Sequence, residues 1–271
     1  MVDHASQIGR MPGYPVFLAI VGAIFGDSLL AYRLADAVVS AAVVVLVGWL
    51  GQVVFSRREG LVAALGAALY PAFVLYVVTI LSETLFMAFL VGGSACLAVA
   101  MTRRGLKWPA LAGLVLGLAV MVRASHLLCV PLLAALWVVV RRFDKATLAK
   151  AGVMLAAFAA TLVPWTVRNW HASGGHLVLT TLRTGPSLYE GLNPQATGAP
   201  MMDAINWDVG TTGMSEWEKN RYWLRKALEF ARANPGRVAR LAVAKLTRFW
   251  SVVPNLAQLR QPLFAFGLGV P

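Results

Sequence analysis

The chain has 271 residues, of which 59% are hydrophobic and 13% charged, with a formal net charge of +12. Soluble domains carry roughly 45–50% apolar and about 25% charged residues. This balance, with a mean hydropathy of +0.69, excludes an ordinary soluble domain and defines an integral membrane protein. It also argues against nucleic-acid binding. In the apolar part the basic residues sit in short clusters between segments, where they set membrane topology.

Cys96 and Cys129 lie inside apolar runs and read as helix packing rather than as disulfide or metal ligands. The four histidines are scattered and show no metal-ligand spacing. The first dozen residues are polar and do not read as a cleavable signal peptide.

The first apolar run, Tyr14 to Phe25, is broken by Gly26-Asp27. It is shorter than the roughly 20 residues a span needs, so an interfacial or re-entrant helix is expected. Asp27 or Ser28 then caps a helix that runs to Phe55 and is long enough to span. Arg33 and Asp36 sit one turn apart near its start, spaced for a local ion pair; a place at a polar cavity is the other reading. Further spans are expected over 61–80, 82–101, 108–122, 124–140 and 147–167.

The junctions between these spans alternate. Arg57-Arg58, then Arg103-Arg104 with Lys107, then Arg141-Arg142 with Lys145 and Lys150 make every second junction strongly basic. By the positive-inside rule these face the cytoplasm. Glu83, Arg123 and Arg168 then fall at the same depth on the opposite, extracytoplasmic side. Each keeps two readings. Glu83 is the only carboxylate between Glu59 and Asp144; it is either a favourable charge at a helix start or a functional acid at membrane depth. Arg123, Arg168 and Arg10 are either interfacial anchors or ligands for a phosphate or carboxylate, which a planar guanidinium fork suits.

Residues 171–214 read as a long loop, with Gly174-Gly175, Asn193-Pro194 and Gly210. Ser215-Glu216-Trp217-Glu218 is a capping box, followed by an amphipathic helix to about Ala233, stopped by Pro235-Gly236. A second helix, about Arg237 to Ser251, places Arg237, Arg240, Lys245 and Arg248 among apolar positions. It suits either a membrane surface or ordinary packing on a neighbour. Phe264 to Leu268 is a further apolar start.

Six stretches in order resemble one family. Arg10-Met11-Pro12-Gly13-Tyr14-Pro15 resembles the Arg-x-Pro-Gly-Tyr-Pro segment of bacterial GT-C glycosyltransferases, the membrane enzymes related to protein O-mannosyltransferases and aminoarabinose transferases. Leu81-Ser82-Glu83 looks like their Ser-Glu or Thr-Asp at the outer end of a span. Gly117-Leu118-Ala119 with Val122-Arg123 is similar to their Gly-Leu-Ala-x-Leu-x-Arg. Pro164-Trp165-Thr166-Val167-Arg168-Asn169 looks like their Pro-Trp-x-x-Arg-Asn. Tyr189-Glu190-Gly191-Leu192-Asn193-Pro194-Gln195-Ala196-Thr197-Gly198 resembles the loop Gly-Asn-Asn-Pro-x-Ala-Thr-Gly, with Leu192 where Asn is usual. Asn234-Pro235-Gly236-Arg237 through Trp250 resembles the segment after that loop.

The resemblance implies an all-α, polytopic membrane helix bundle, GT-C-like and partial. Its function would be transfer of a sugar from a polyprenyl-phosphate donor to a glycan, lipid or protein acceptor on the extracytoplasmic face of a bacterial inner membrane. Glu83 is the implied catalytic carboxylate, orienting the acceptor, a basic side chain or a metal. Arg10, Tyr14, Arg123, Arg168, Asn169, Tyr189 and Asn193 are the implied substrate-binding residues, with Arg168 and Arg10 on the donor phosphate. The cofactor stays open: some relatives use a divalent metal ion, and no ligand set for one can be assigned.

In the family a span and a loop acid precede the Arg-x-Pro-Gly-Tyr-Pro segment, and further spans follow. Here nine residues precede Arg10, with Asp3 the sole carboxylate among them. The expectation is therefore the middle of such an enzyme, without its usual acid. It divides into a loop remnant with the short helix over 1–26, a transmembrane bundle over 27–168, and an extracytoplasmic loop with amphipathic helices over 169–271. The alternative is a non-catalytic polyprenyl-phosphate or glycan-binding membrane protein. A transporter is disfavoured, because no paired Gly/Pro-broken spans recur in two halves.

Overall fold

The computed structural model describes residues 8–199 and 210–250. Asp3, the end of the last expected helix at Ser251, and Phe264 to Leu268 lie outside the described residues. All regular structure among the described residues is helical: α1 (Gly13–Phe25), α2 (Leu29–Val54), α3 (Arg57–Ala68), α4 (Pro71–Val78), α5 (Glu83–Thr102), α6 (Lys107–Val122), α7 (Cys129–Val140), α8 (Lys145–Ala172), α9 (Thr184–Gly191), α10 (Glu216–Ala233) and α11 (Pro235–Phe249). The chain is an all-α membrane helix bundle, as expected. Three of the described helices, α2, α5 and α8, are long and apolar enough to cross a membrane; α1, α6 and α7 are shorter apolar helices.

Residues 11–168 form one compact unit, and the described residues 8–10, 169–199 and 210–250 belong to another. In the first, Ser28 caps α2 by accepting from the Ala31 N–H at 3.1 Å. Asp27 is used differently: it accepts the Tyr32 hydroxyl at 2.6 Å. The core gathers Cys96 and Ala100 of α5, Leu116 and Val120 of α6, Trp137 of α7, and Met154 and Phe158 of α8. Small residues let these helices close up. A methyl group on Gly93 would meet the Leu116 side chain, one on Gly113 the Met154 carbonyl, and one on Gly117 the Thr161 side chain. Without water to squeeze out, close backbone approach of this kind supplies much of helix association in lipid. On the outside, α2 leaves Leu30, Leu34, Val38 and Val45 exposed, apolar surface for which the bilayer is the solvent.

The glycine contacts also fix direction. Gly113 meets Met154 and Gly117 meets Thr161, so α6 and α8 run parallel. Carrying that register forward brings the C-terminal ends of both helices, Arg123 and Arg168, to the same end of the bundle. The opposite end is basic. There Lys150 Nζ donates to the Ala100 and Arg103 carbonyls at 2.9 and 2.7 Å, satisfying acceptors that the last turn of α5 leaves open.

Several expectations change. The expected span 61–80 is two helices, α3 and α4. Pro71 disfavours helical geometry at the residue before it, and Tyr70 is extended, at φ −75° and ψ 114°. The expected span 124–140 opens as a 3₁₀ turn, Ala124–His126, before α7. Arg33 and Asp36 do not pair: Arg33 Nε donates to the Val78 carbonyl at 3.2 Å, and Asp36 accepts the Tyr14 hydroxyl at 2.8 Å. The expected loop 171–214 contains α9.

In the second unit, Ile8 is buried with Val178 and Leu182 against Trp217. Its N–H donates to Glu216 Oε2 at 3.0 Å, and its carbonyl accepts from the Leu182 N–H at 3.0 Å. The capping box at Ser215 and Glu218 starts α10. Gly185 of α9 lies so close to α10 that a methyl group there would meet the Asn220 carbonyl, and its N–H donates to Asn220 Oδ1 at 2.8 Å.

Candidate functional site

The turn from α4 into α5 holds Ile80 at a φ of +50°. A β-branched residue in that region is strained, and the strain is spent on turning the chain so that Ser82-Glu83 opens α5. Across the helix pair, Arg123 ends α6 as its C-cap. Arg123 Nη1 lies 2.5 Å from Glu83 Oε1, with side-chain exposures of 40% and 30%. The same nitrogen donates to Ser82 Oγ at 3.4 Å, and Ser82 Oγ donates to Glu83 Oε2 at 3.3 Å. The two residues that charge alternation placed at one depth are therefore partners. A fully exposed pair of this kind is worth about 0–1 kcal/mol. At 40% and 30% exposure each charge is partly withdrawn from water and has the other as its partner.

The pair borders a cavity of about 400 Å³ lined by Tyr70, Tyr76, Glu83, Phe86, Arg123 and His126, among others. The His126 ring lies on Phe86, centroids 4.6 Å apart, and Ser125 Oγ is 3.2 Å from His126 Nδ1. Apolar walls with a few convergent polar groups are the usual make-up of a small-ligand site. Tyr70, Tyr76, Ser125 and His126 were not picked out from the sequence. His126 follows Arg123 by three residues, and that proximity was the available signal. The tyrosines sit in an apolar run that gave none.

The other candidate residues divide. Arg168, near the end of α8 and on the bundle end that carries Arg123, holds its guanidinium 4.8 Å from the Trp165 ring centroid. Tyr14 is hydrogen-bonded to buried Asp36. Beside it, a methyl group on Gly13 would stand 2.7 Å from the Met121 carbonyl oxygen. The Pro-Gly-Tyr-Pro stretch thus packs α1 onto α6 and α2. Arg10 is exposed.

Asn169 is fully buried and donates from Nδ2 to the Val178 and Thr180 carbonyls at 3.1 and 3.0 Å. Tyr189 lies 4.7 Å from Trp223, ring to ring. Asn193 is buried and folds its own loop, donating to the Tyr189 carbonyl at 2.8 Å and accepting from the Gln195 N–H at 2.8 Å. Arg183 pairs with Glu190 at 3.1 Å. Among the described residues no three His, Cys, Asp or Glu side chains stand together as a metal site. Glu83 has Arg123, a cation, as its neighbour, so these residues do not form a cradle for a divalent ion.

Helices of this length and polarity define an integral membrane protein, with an acid–arginine pair at one end of its bundle. Residues 3–170 match the family model described as dolichyl-phosphate-mannose-protein mannosyltransferase. The match covers more than half of the chain, which belongs to this family, one of membrane glycosyltransferases of the GT-C type that use lipid-linked sugar donors. No curated protein matches the chain, and no solved structure does.

Proposed function

We propose that this protein transfers a sugar from a polyprenyl-phosphate donor to an acceptor on the extracytoplasmic face of a bacterial plasma membrane. The observation that supports this reading is the meeting of Glu83 and Arg123 on a cavity at the bundle end opposite the basic junctions. In the transfer, an acceptor oxygen forms a bond to the sugar's anomeric carbon. The bond from that carbon to the phosphate oxygen breaks, and polyprenyl phosphate leaves with the electron pair. Charge grows on the phosphate as the bond stretches, so fixed cations accelerate the step. Arg168 is assigned to that phosphate. Arg123 supports the site and holds Glu83. Glu83 orients the acceptor and receives its proton, a role its position on the cavity suits.

Membranes carrying the chain, given labelled polyprenyl-phosphate sugar, test this directly. Transfer that falls sharply on Arg168→Ala supports the assignment. Transfer left unchanged by that substitution removes Arg168 from the donor phosphate.

A second reading is favoured by the ion pair itself. The cavity's carboxylate is already held by Arg123, which suits a protein that binds a polyprenyl phosphate or a glycan without turning it over. Saturable donor binding with no release of polyprenyl phosphate would select this reading over transfer.

A further inference from the structure

Helix α11 presents two different faces. On one side Leu241 is buried, at 6% exposure. On that side too, Arg237 Nη2 donates to the Pro194 carbonyl at 2.6 Å, and Lys245 Nζ to the Gly191 carbonyl at 3.4 Å. Ala244 closes the contact: a methyl group on Gly198 would stand 3.0 Å from its Cβ. This side docks α11 on its own unit. Roughly opposite, Ala239, Ala242, Val243, Leu246 and Trp250 fall within an arc of about 100°. Val243 and Leu246 are each 60% exposed, Phe249 78% and Trp250 79%. An ordinary amphipathic helix turns its apolar stripe inward; this one docks by its other side and leaves the stripe uncovered by any described residue.

The chemistry of the flanks says what covers it. Four basic residues, Arg237, Arg240, Lys245 and Arg248, and no acidic one lie in α11. Arg240 borders the stripe, while Arg237 and Lys245 are held on the docked side by the Pro194 and Gly191 carbonyls. The stripe ends in Trp250, packed edge-to-face on Phe249 with ring centroids 5.4 Å apart; tryptophan is enriched where acyl chains meet headgroups. A second copy of this chain, also at +12, is a poor electrostatic match; an anionic lipid surface is a good one.

We infer that α11 is an interfacial helix, with Val243, Leu246, Phe249 and Trp250 sunk into the boundary between headgroups and acyl chains of an anionic leaflet. Its Arg240 edge lies against the lipid phosphates. The helix then binds the second unit to the bilayer surface independently of the spans, whatever reaction the protein performs.

Site-directed spin labelling of the full chain in lipid nanodiscs tests this. Nitroxides are placed at Leu246→Cys, Val243→Cys and, on the polar side, Thr247→Cys, with Cys96 and Cys129 replaced by Ala. Each variant is used only if its helical circular dichroism matches the parent. The expected result is that oxygen reaches Leu246 and Val243 better than a water-soluble nickel chelate, with the order reversed at Thr247. Replacing phosphatidylglycerol by phosphatidylcholine, or Arg240→Gln, should shrink the oxygen preference at Leu246. Ready access of nickel to Leu246 and Val243 would overturn the inference in favour of a solvent-facing stripe. Low access of both reagents there would overturn it in favour of a protein partner. An oxygen preference indifferent to lipid charge would overturn the anionic assignment.

Discussion

Tyr14 Oη donates a 2.8 Å hydrogen bond to Asp36 Oδ2, joining α1 to α2, and the carboxylate is fully buried. Its second oxygen, Oδ1, has no hydrogen-bond partner among the described residues. A buried carboxylate group with one partner is costly to leave with none, because the desolvation has already been incurred. The pair therefore fixes how α1 meets α2 and, through Gly13 against Met121, how α1 meets α6.

Tyr14→Phe should destabilise the bundle by about 1–3 kcal/mol, the penalty for orphaning a buried polar group. Tyr14→Phe combined with Asp36→Leu should recover most of that loss, because removing both polar partners removes the penalty. Unfolding in mixed micelles, followed by helical circular dichroism, measures both. Equal destabilisation by the single and double variants would show that Asp36 is not held through Tyr14.

The glycines make a second, sharper contrast. Gly117→Ala places a methyl group on the Thr161 side chain and Gly113→Ala places one on the Met154 carbonyl. Overpacking of this kind costs about 1–3 kcal/mol. Gly152 is also helical, in α8, but has nothing within 4 Å of its would-be Cβ. Gly152→Ala should instead stabilise by about 0.4–1 kcal/mol, through lost freedom in the unfolded chain. The same micelle titration reads all three, and a uniform response would mean that α6 and α8 do not approach as closely as described.

What the sequence revealed follows from which forces are local. Length and hydropathy located α2, α5 and α8, because insertion in lipid depends on the segment's own side chains. The alternation of basic junctions put Glu83 and Arg123 at one depth, and the fold pairs them. Hydropathy could not see that Pro71 divides the run 61–80, since proline acts through backbone geometry rather than polarity. Spacing suggested an Arg33–Asp36 pair, but Asp36 is turned inward to Tyr14, 22 residues away in sequence, a partner that only the α1–α2 hairpin supplies. His126 and Tyr76 reach the cavity because a 3₁₀ turn and the strained Ile80 bend the chain there. Neither feature leaves a periodic trace.

On the proposed reaction, Glu83→Gln should lower sugar transfer by about 10²–10⁴-fold, the usual worth of a positioned acid or base. It should leave donor binding nearly intact, because the donor phosphate is assigned to Arg168. Single-turnover transfer and equilibrium binding of the labelled donor separate the two effects. Full transfer by the Gln variant would remove Glu83 from the chemistry and reduce its pair with Arg123 to a structural one.

The start of α10 should be acid-sensitive. Glu218 lies below its ordinary value of 4.5, first because it accepts the Ser215 backbone N–H and then because it accepts the Ser215 hydroxyl. Its carboxylate is 2.8 and 2.9 Å from those donors. A lowered acid stabilises the folded form fully above its unfolded value, and that contribution is lost as pH falls through the folded value. Glu218's share of the cap is therefore intact at neutral pH, begins to weaken below about pH 4.5, the unfolded value for such an acid, and is lost through the lower folded value. Hydrogen exchange at the first-turn amides of α10 should quicken across that window in the parent protein. In Glu218→Gln the neutral amide keeps an acceptor but cannot titrate, so exchange should be faster at neutral pH and, once intrinsic rates are divided out, nearly flat with acid. An unchanged acid response in that variant would assign the sensitivity to a group other than Glu218.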